Sequence, residues 1–124
     1  MDGVDRMDIL RAAWSNEAFR REVMTGTHEQ VVVMTLPRGG EIGEEVHPAT
    51  DQLLVFVDGR AEAILEGEAA QVGPNDLVFV HAGTRHNFVN VGDGPLRLIT
   101  VYAPPHHAPG TVHLTKEEAD AAES

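Results

Sequence analysis

Between Gln30 and Tyr102 the sequence breaks into short runs of β-branched and aromatic residues, each stopped by Gly, Pro, Asn or Asp. Gln30–Leu36 (QVVVMTL) is continuous and apolar, as a buried strand is, and Pro37-Arg38-Gly39-Gly40 ends it. Gln52–Val57 (QLLVFV) follows, then Asp58-Gly59, then Ala61–Glu66 (AEAILE); two extended runs about an Asp-Gly pair predict a hairpin. Gly67-Glu68 marks a second turn, Ala69–Val72 a short strand, and Gly73-Pro74-Asn75 a third turn. Leu77–Val80, Asn87–Val91 and Leu96–Tyr102 are three more strands, separated by Gly83 and by Gly92-Asp93-Gly94-Pro95. Short strands at close spacing with Gly turns predict an all-β sandwich or barrel.

The ends differ. Ser15-Asn16-Glu17 reads as a helix cap or turn, ahead of a strand near Phe19–Met24. Thr115 with Glu118 three residues on is a capping box, so a short C-terminal helix is expected. No linker or low-complexity tract interrupts the 124 residues, which predicts one domain over 1–124 with its barrel core at about 27–103.

Charge and composition remove several function classes. A formal net charge of -11 argues against a nucleic-acid partner and against an anionic membrane surface, both of which need clustered Lys and Arg. No apolar run is long enough to span a bilayer, and MDGVDRMDIL has no signal core; a soluble, cytoplasmic protein is expected. With no cysteine, thiolate sites are excluded, and a metal must be held by imidazole, carboxylate or amide groups. There is no P-loop lysine, Gly-x-Gly-x-x-Gly motif or Gly-x-Ser-x-Gly elbow.

Four side chains carry the candidate chemistry. Glu45 and His47 are two apart, so an extended backbone points both the same way. Gln52 on the next strand and His86 on a later one would meet them across the interior of a small closed barrel. Imidazole plus carboxylate is an ordinary ligand set for Zn, Mn, Fe or Ni as a divalent ion. Asn90 reads as a residue that bonds the barrel backbone, and Asp51 as a surface turn residue. Ala103–His113, with Pro104, Pro105, His106, His107, Pro109 and His113, reads as a Pro-stiffened strap with incidental imidazoles. His81, His106 and Tyr102 are the candidates for proton transfer.

At these residues the chain resembles the cupin family. The family's first motif, Gly-x5-His-x-His-x3-4-Glu-x6-Gly, is matched by Glu45-x-His47-x4-Gln52-x6-Gly59. Its second, Gly-x5-Pro-x-Gly-x2-His-x3-Asn, is matched by Asn75-x5-His81-x-Gly83-x2-His86-x3-Asn90. Glu45 replaces a His, Gln52 a Glu, Asn75 a Gly and His81 a Pro. The strings EVHPATDQ, AGTRHN and YAPPHHAPGTVH look like small single-domain cupins of the mannose-6-phosphate isomerase-like type. The resemblance implies a double-stranded β-helix (jelly-roll barrel) with a short N-terminal segment and a short C-terminal helix. It also implies a divalent metal ion on Glu45, His47, Gln52 and His86, and pairing as a homodimer.

Three functions follow as expectations: a metal-dependent, isomerase-like enzyme acting on a small polar substrate such as a sugar; an Fe(II)-dependent dioxygenase; or a non-catalytic small-ligand-binding protein. Arg60, Arg85 and Arg97 are the cations expected nearest the pocket, which favours an unphosphorylated polar or weakly anionic substrate.

Overall fold

The computed structural model describes residues 3–123; Met1, Asp2 and Ser124 lie outside them. The elements are α1 (Ile9–Ser15), β1 (Arg20–Thr25), β2 (Gln30–Leu36), β3 (Asp51–Asp58), β4 (Ala61–Leu65), β5 (Glu68–Val72), β6 (Leu77–Val80), β7 (His86–Asn90), β8 (Leu96–Ala103), β9 (Val112–His113) and α2 (Lys116–Glu123). They form two antiparallel sheets, one in the order β6-β3-β8-β2-β1-β9 and one in the order β5-β4-β7. The arrangement is the expected double-stranded β-helix with a short C-terminal helix.

The small sheet is wider than its three strands. Glu41 bridges Val89 and Glu45 bridges His86, so the segment before β3 lies along the free edge of β7. That edge is paired rather than left open.

Alternation explains the core. On β3, Gln52, Leu54 and Phe56 point inward and are buried, while the residues between them are partly exposed. Leu54 and Phe56 meet Val32, Met34, Leu36, Ala61, Ala63, Phe88, Leu96 and Leu98 between the sheets, with the Phe56 and Phe88 rings 5.7 Å apart. Each such side chain contributes about 1.5–3 kcal/mol on burial. β2 is apolar on both faces because α1 covers its outer side, packing Ala13 and Ile9 over Val33, Ile99, Val31 and Val55. This is why QVVVMTL does not alternate.

Two readings are corrected. Asp58-Gly59 does not close a hairpin: β3 pairs with β6 and β8, and β4 pairs with β5 and β7. The chain crosses between the sheets at that point. The true hairpin is β4–β5, where Glu66 (φ 51°) and Gly67 (φ 82°) form the two-residue loop between paired Leu65 and Glu68. Ser15-Asn16 is the end of a helix; the start is Asp8, whose Oδ1 accepts from the Arg11 amide at 3.1 Å. Among the described residues no helix is long and apolar enough to cross a membrane.

Candidate metal centre

One end of the interior is polar, and the strand register makes it so. Gln30 of β2 pairs with Tyr102 of β8, Tyr102 with Gln52 of β3, and Gln52 with Val80 of β6, which gives one row across the large sheet. Opposite it, Leu65 pairs with His86, and His86 with Glu45. The next row in is Val32, Thr100, Leu54 and Val78, and beyond it Met34, Leu98, Phe56 and Phe88 fill the interior, so that Thr100 is the one polar side chain just below the mouth.

Glu45 and His86 exchange both backbone hydrogen bonds, each at 2.9 Å, so their side chains leave the same face side by side. His47 is fixed by its carbonyl, which accepts from the Gly83 amide at 2.8 Å. The loop carrying Gly83 is tied to β3 by Asp51, whose Oδ1 accepts from the Ala82 amide at 2.9 Å. Glu45, His47 and His86 each offer a ligand atom, and these atoms lie within 4.8 Å of one another. Glu45 Oε2 is 3.7 Å from His47 Nε2, and the His47 and His86 rings are 5.3 Å apart.

The hydrogen bonds behind these groups orient them. His86 Nδ1 donates to the Thr84 carbonyl at 2.8 Å, which leaves Nε2 with a lone pair. Gln52 Nε2 donates to Thr100 Oγ1 at 3.0 Å, and that hydroxyl donates to the Leu53 carbonyl at 3.0 Å, so the amide's oxygen is the end turned away from Thr100. His47 Nε2, His86 Nε2 and Gln52 Oε1 are buried and have no hydrogen-bond partner. Buried polar atoms are rarely left so, and three at one mouth fit a cation that would accept their lone pairs. Burial, then the neighbouring His106, His86 and Arg20, pulls the pKa of His47 down to about 4, so its imidazole is neutral at pH 7, as a ligand must be. Glu45, His47 and His86 therefore could hold a divalent metal.

The strap lies over this group. Gln30 is fully buried and clamps it: Oε1 accepts from the amides of His106 (3.1 Å) and His107 (2.9 Å), and Nε2 donates to the His107 carbonyl. The His106 ring is 4.5 Å from that of His47 and stacks on Tyr102 at 5.5 Å. Glu45, His47, His106, His107, Thr111 and His113 line a cavity of about 540 Å³. The strap is as expected, but its imidazoles face the site.

Of the other candidates, only Tyr102 lies against the site. His81 does not join the group: it is exposed, in step with the outward residues Leu77 and Phe79, and its ring packs on Phe79 at 4.7 Å. Tyr102 is buried beside His47, and burial pushes its pKa up to about 12. Its phenol stays protonated and suits hydrogen bonding rather than base chemistry. Arg85 is exposed toward Glu44, Arg97 bonds Glu17 and the Asn16 carbonyl, and Arg60 is exposed. Asn90 does bond the backbone, donating to the carbonyls of Leu36, Pro37 and Gly94.

Sequence reasoning missed Arg20. It opens β1, is buried at 3% exposure, and places Nη1 3.3 Å from His113 Nδ1. Nothing in its neighbourhood, RREVMT, marks it as interior.

Comparison with known proteins agrees with this geometry. The cupin domain model matches residues 32–102. The Bacillus subtilis protein YrkC, itself uncharacterized, is 42% identical over 94% of this chain, which spans 66% of YrkC. A crystal structure of BH2720 from Bacillus halodurans superposes with a TM-score of 0.93 at 38% identity, covering 94% of this chain and 93% of that one. Polyketide synthase CurC of Streptomyces cyaneus is 29% identical over 77% of this chain and 62% of CurC.

Proposed function

This chain belongs to the cupin domain family, and on that premise we propose that it is a metal-dependent enzyme moving a proton next to a carbonyl of a small polar substrate. The carrying observation is the set of buried, partnerless donors: His47 Nε2, His86 Nε2 and Gln52 Oε1, with the Glu45 carboxylate beside them. Glu45, His47 and His86 would hold the ion, and Gln52 would add a weak neutral oxygen. When bound, a divalent cation supplies Lewis acidity toward a substrate oxygen.

The chain's own residues account for the rest. The buried rows of Leu and Phe below the mouth keep water from that side of the site. His106, exposed on the strap and packed on His47, is placed to exchange a proton with both substrate and solvent. Tyr102 backs the His106 ring and holds its orientation. Acidity at a carbon beside a carbonyl unites the expected hydroxy-carbonyl substrates with the β-dicarbonyl units of polyketides, the class named for the relative CurC. A mannose-6-phosphate isomerase-like reaction is one member of that class.

The test has two parts. Elemental analysis of protein purified without added metal should find close to one equivalent, lost in His47→Ala and Glu45→Ala with circular dichroism unchanged. Metal-loaded protein in D₂O should then exchange deuterium into the carbon beside the carbonyl of dihydroxyacetone or acetoacetate. Unchanged metal in both variants rejects the site. Native iron with substrate-dependent oxygen uptake replaces proton transfer by the dioxygenase reading, which the two-imidazole, one-carboxylate set also supports.

A further inference from the structure

We infer that the ligand of this site is an oxygen anion and that Arg20 is the residue that selects it, an inference that rests on the metal-binding reading above. Arg20 is the one Lys or Arg among the described residues that is buried. It reaches the site by a chain of contacts. Gln52 bonds Thr100, the buried Tyr102 pairs with Gln52 across the sheet and lies within reach of the Arg20 charge, and Arg20 Nη1 is 3.3 Å from Nδ1 of His113, which lines the cavity of about 540 Å³. Arg20 also lines an adjoining cavity of about 320 Å³ that shares Glu45 with the first. Its charge is close enough to act on His47, Tyr102 and His107 alike.

The charges then give the ligand class. Arg20 (+1) and Glu45 (-1) cancel, and Gln52 and the imidazoles of His47 and His86, which are neutral whenever they act as ligands, add nothing. A divalent cation would leave the buried site at +2. The other carboxylates around the smaller cavity are exposed and face other partners: Glu41 accepts from the Asn87 side-chain amide at 3.4 Å, Glu44 meets Arg85 at 3.9 Å, and Asp120 meets Lys116 at 2.8 Å. Exposed charges are screened and balance a buried excess poorly. The missing negative charge must arrive with the ligand.

Geometry agrees. Arg20 Nε is buried with no hydrogen-bond partner, an unsatisfied donor on a cation. A guanidinium offers its donors as a planar fork suited to carboxylate and enolate oxygens. A small dianion or an enolised β-dicarbonyl could turn one oxygen to the metal-holding residues and another to Arg20. The adjoining cavity that Arg20 and Glu45 both line, about 320 Å³, is of small-ligand size. Of the unphosphorylated polar or weakly anionic substrates expected when only Arg60, Arg85 and Arg97 were in view, neutral ones fit this charge distribution worse.

Cobalt(II)-loaded protein titrated with malonate, and with its uncharged counterpart malonamide, tests this through the visible absorption of the cobalt. Malonate should bind at least about tenfold more tightly than malonamide. Arg20→Gln should weaken malonate binding at least about tenfold and leave malonamide little changed, with cobalt stoichiometry intact; Arg20→Lys should keep part of the preference. Equal affinity of the wild type for both probes overturns the inference, as does an undiminished malonate preference in cobalt-loaded Arg20→Gln. Where Arg20→Gln fails to fold, the wild-type comparison still tests whether the ligand is an anion, and Arg20→Lys tests the residue. Cobalt that does not bind at all, or that stays bound in His47→Ala before any malonate is added, overturns the metal reading and this inference with it.

Discussion

His47 and His86 were legible because their spacings to Gln52, Gly83 and Asn90 are themselves backbone facts: a pair two apart in an extended segment, and a turn opening a strand. The pairing of Glu45 with His86 was not, since it depends on a bridge between segments some forty residues apart in the chain. Arg20 was invisible for a related reason. A long side chain is buried or exposed by what covers it, and β9 and the strap, far along the sequence, cover Arg20. Gln30 is the same kind of residue: a polar start to an apolar strand, it turns out to hold the strap by both ends of its amide. Gln30→Ala leaves the amides of His106 and His107 and the His107 carbonyl without their partner, and should cost about 2–4 kcal/mol locally. Hydrogen exchange at the His106 and His107 amides should accelerate, while metal content holds. Unaltered exchange there would mean the strap is secured by other contacts.

At the scale of elements, the strands were readable and their partners were not. Seven runs from Gln30 to Tyr102 match β2 to β8 within a residue or two, because local composition decides extension. Pairing is a tertiary choice. An Asp-Gly pair between two strands satisfies a tight turn, yet here it serves a crossing between sheets. Gly59 shows the difference physically: its φ is +89°, and an added Cβ would stand 2.6 Å from the Pro95 carbonyl oxygen. A backbone obstacle cannot step aside as a side chain can. Gly59→Ala should therefore destabilise the protein by about 2–4 kcal/mol, a fall of roughly 10 °C in Tm. Gly67→Ala is the control. Its φ is +82°, but nothing lies within 4 Å of the added carbon, so only backbone strain remains, on the order of 1 kcal/mol. Calorimetry on both variants separates packing from φ; equal losses would show that the approach of Pro95 does not matter.

Across the whole molecule, the net charge is -11, while the imidazoles of His47, His106, His107 and His113 gather at one mouth, where burial governs how two of them respond to acid. In His47 and His107, burial, the largest cause in each, with neighbouring Arg20 and imidazoles, lowers the pKa from 6.5 to about 4 and about 3. Between those values and 6.5 the unfolded chain binds protons that the folded chain refuses. The unfolded state thus carries more protons, and stability falls as pH falls. The contribution is complete above pH 6.5, erodes below it, and is gone once the folded-state values are passed. In metal-free protein at pH 5 the two imidazoles together should remove about 3 kcal/mol, allowing for the partial exposure of His107. Bound metal should steepen the loss of stability on acidification, because protons then also compete for His47 and His86. Denaturant midpoints of the metal-free protein at pH 7 and pH 5 measure the first effect. The same midpoints for His107→Gln should show a smaller decline between the two pH values, and a decline as large as that of the wild type would remove His107 from the account.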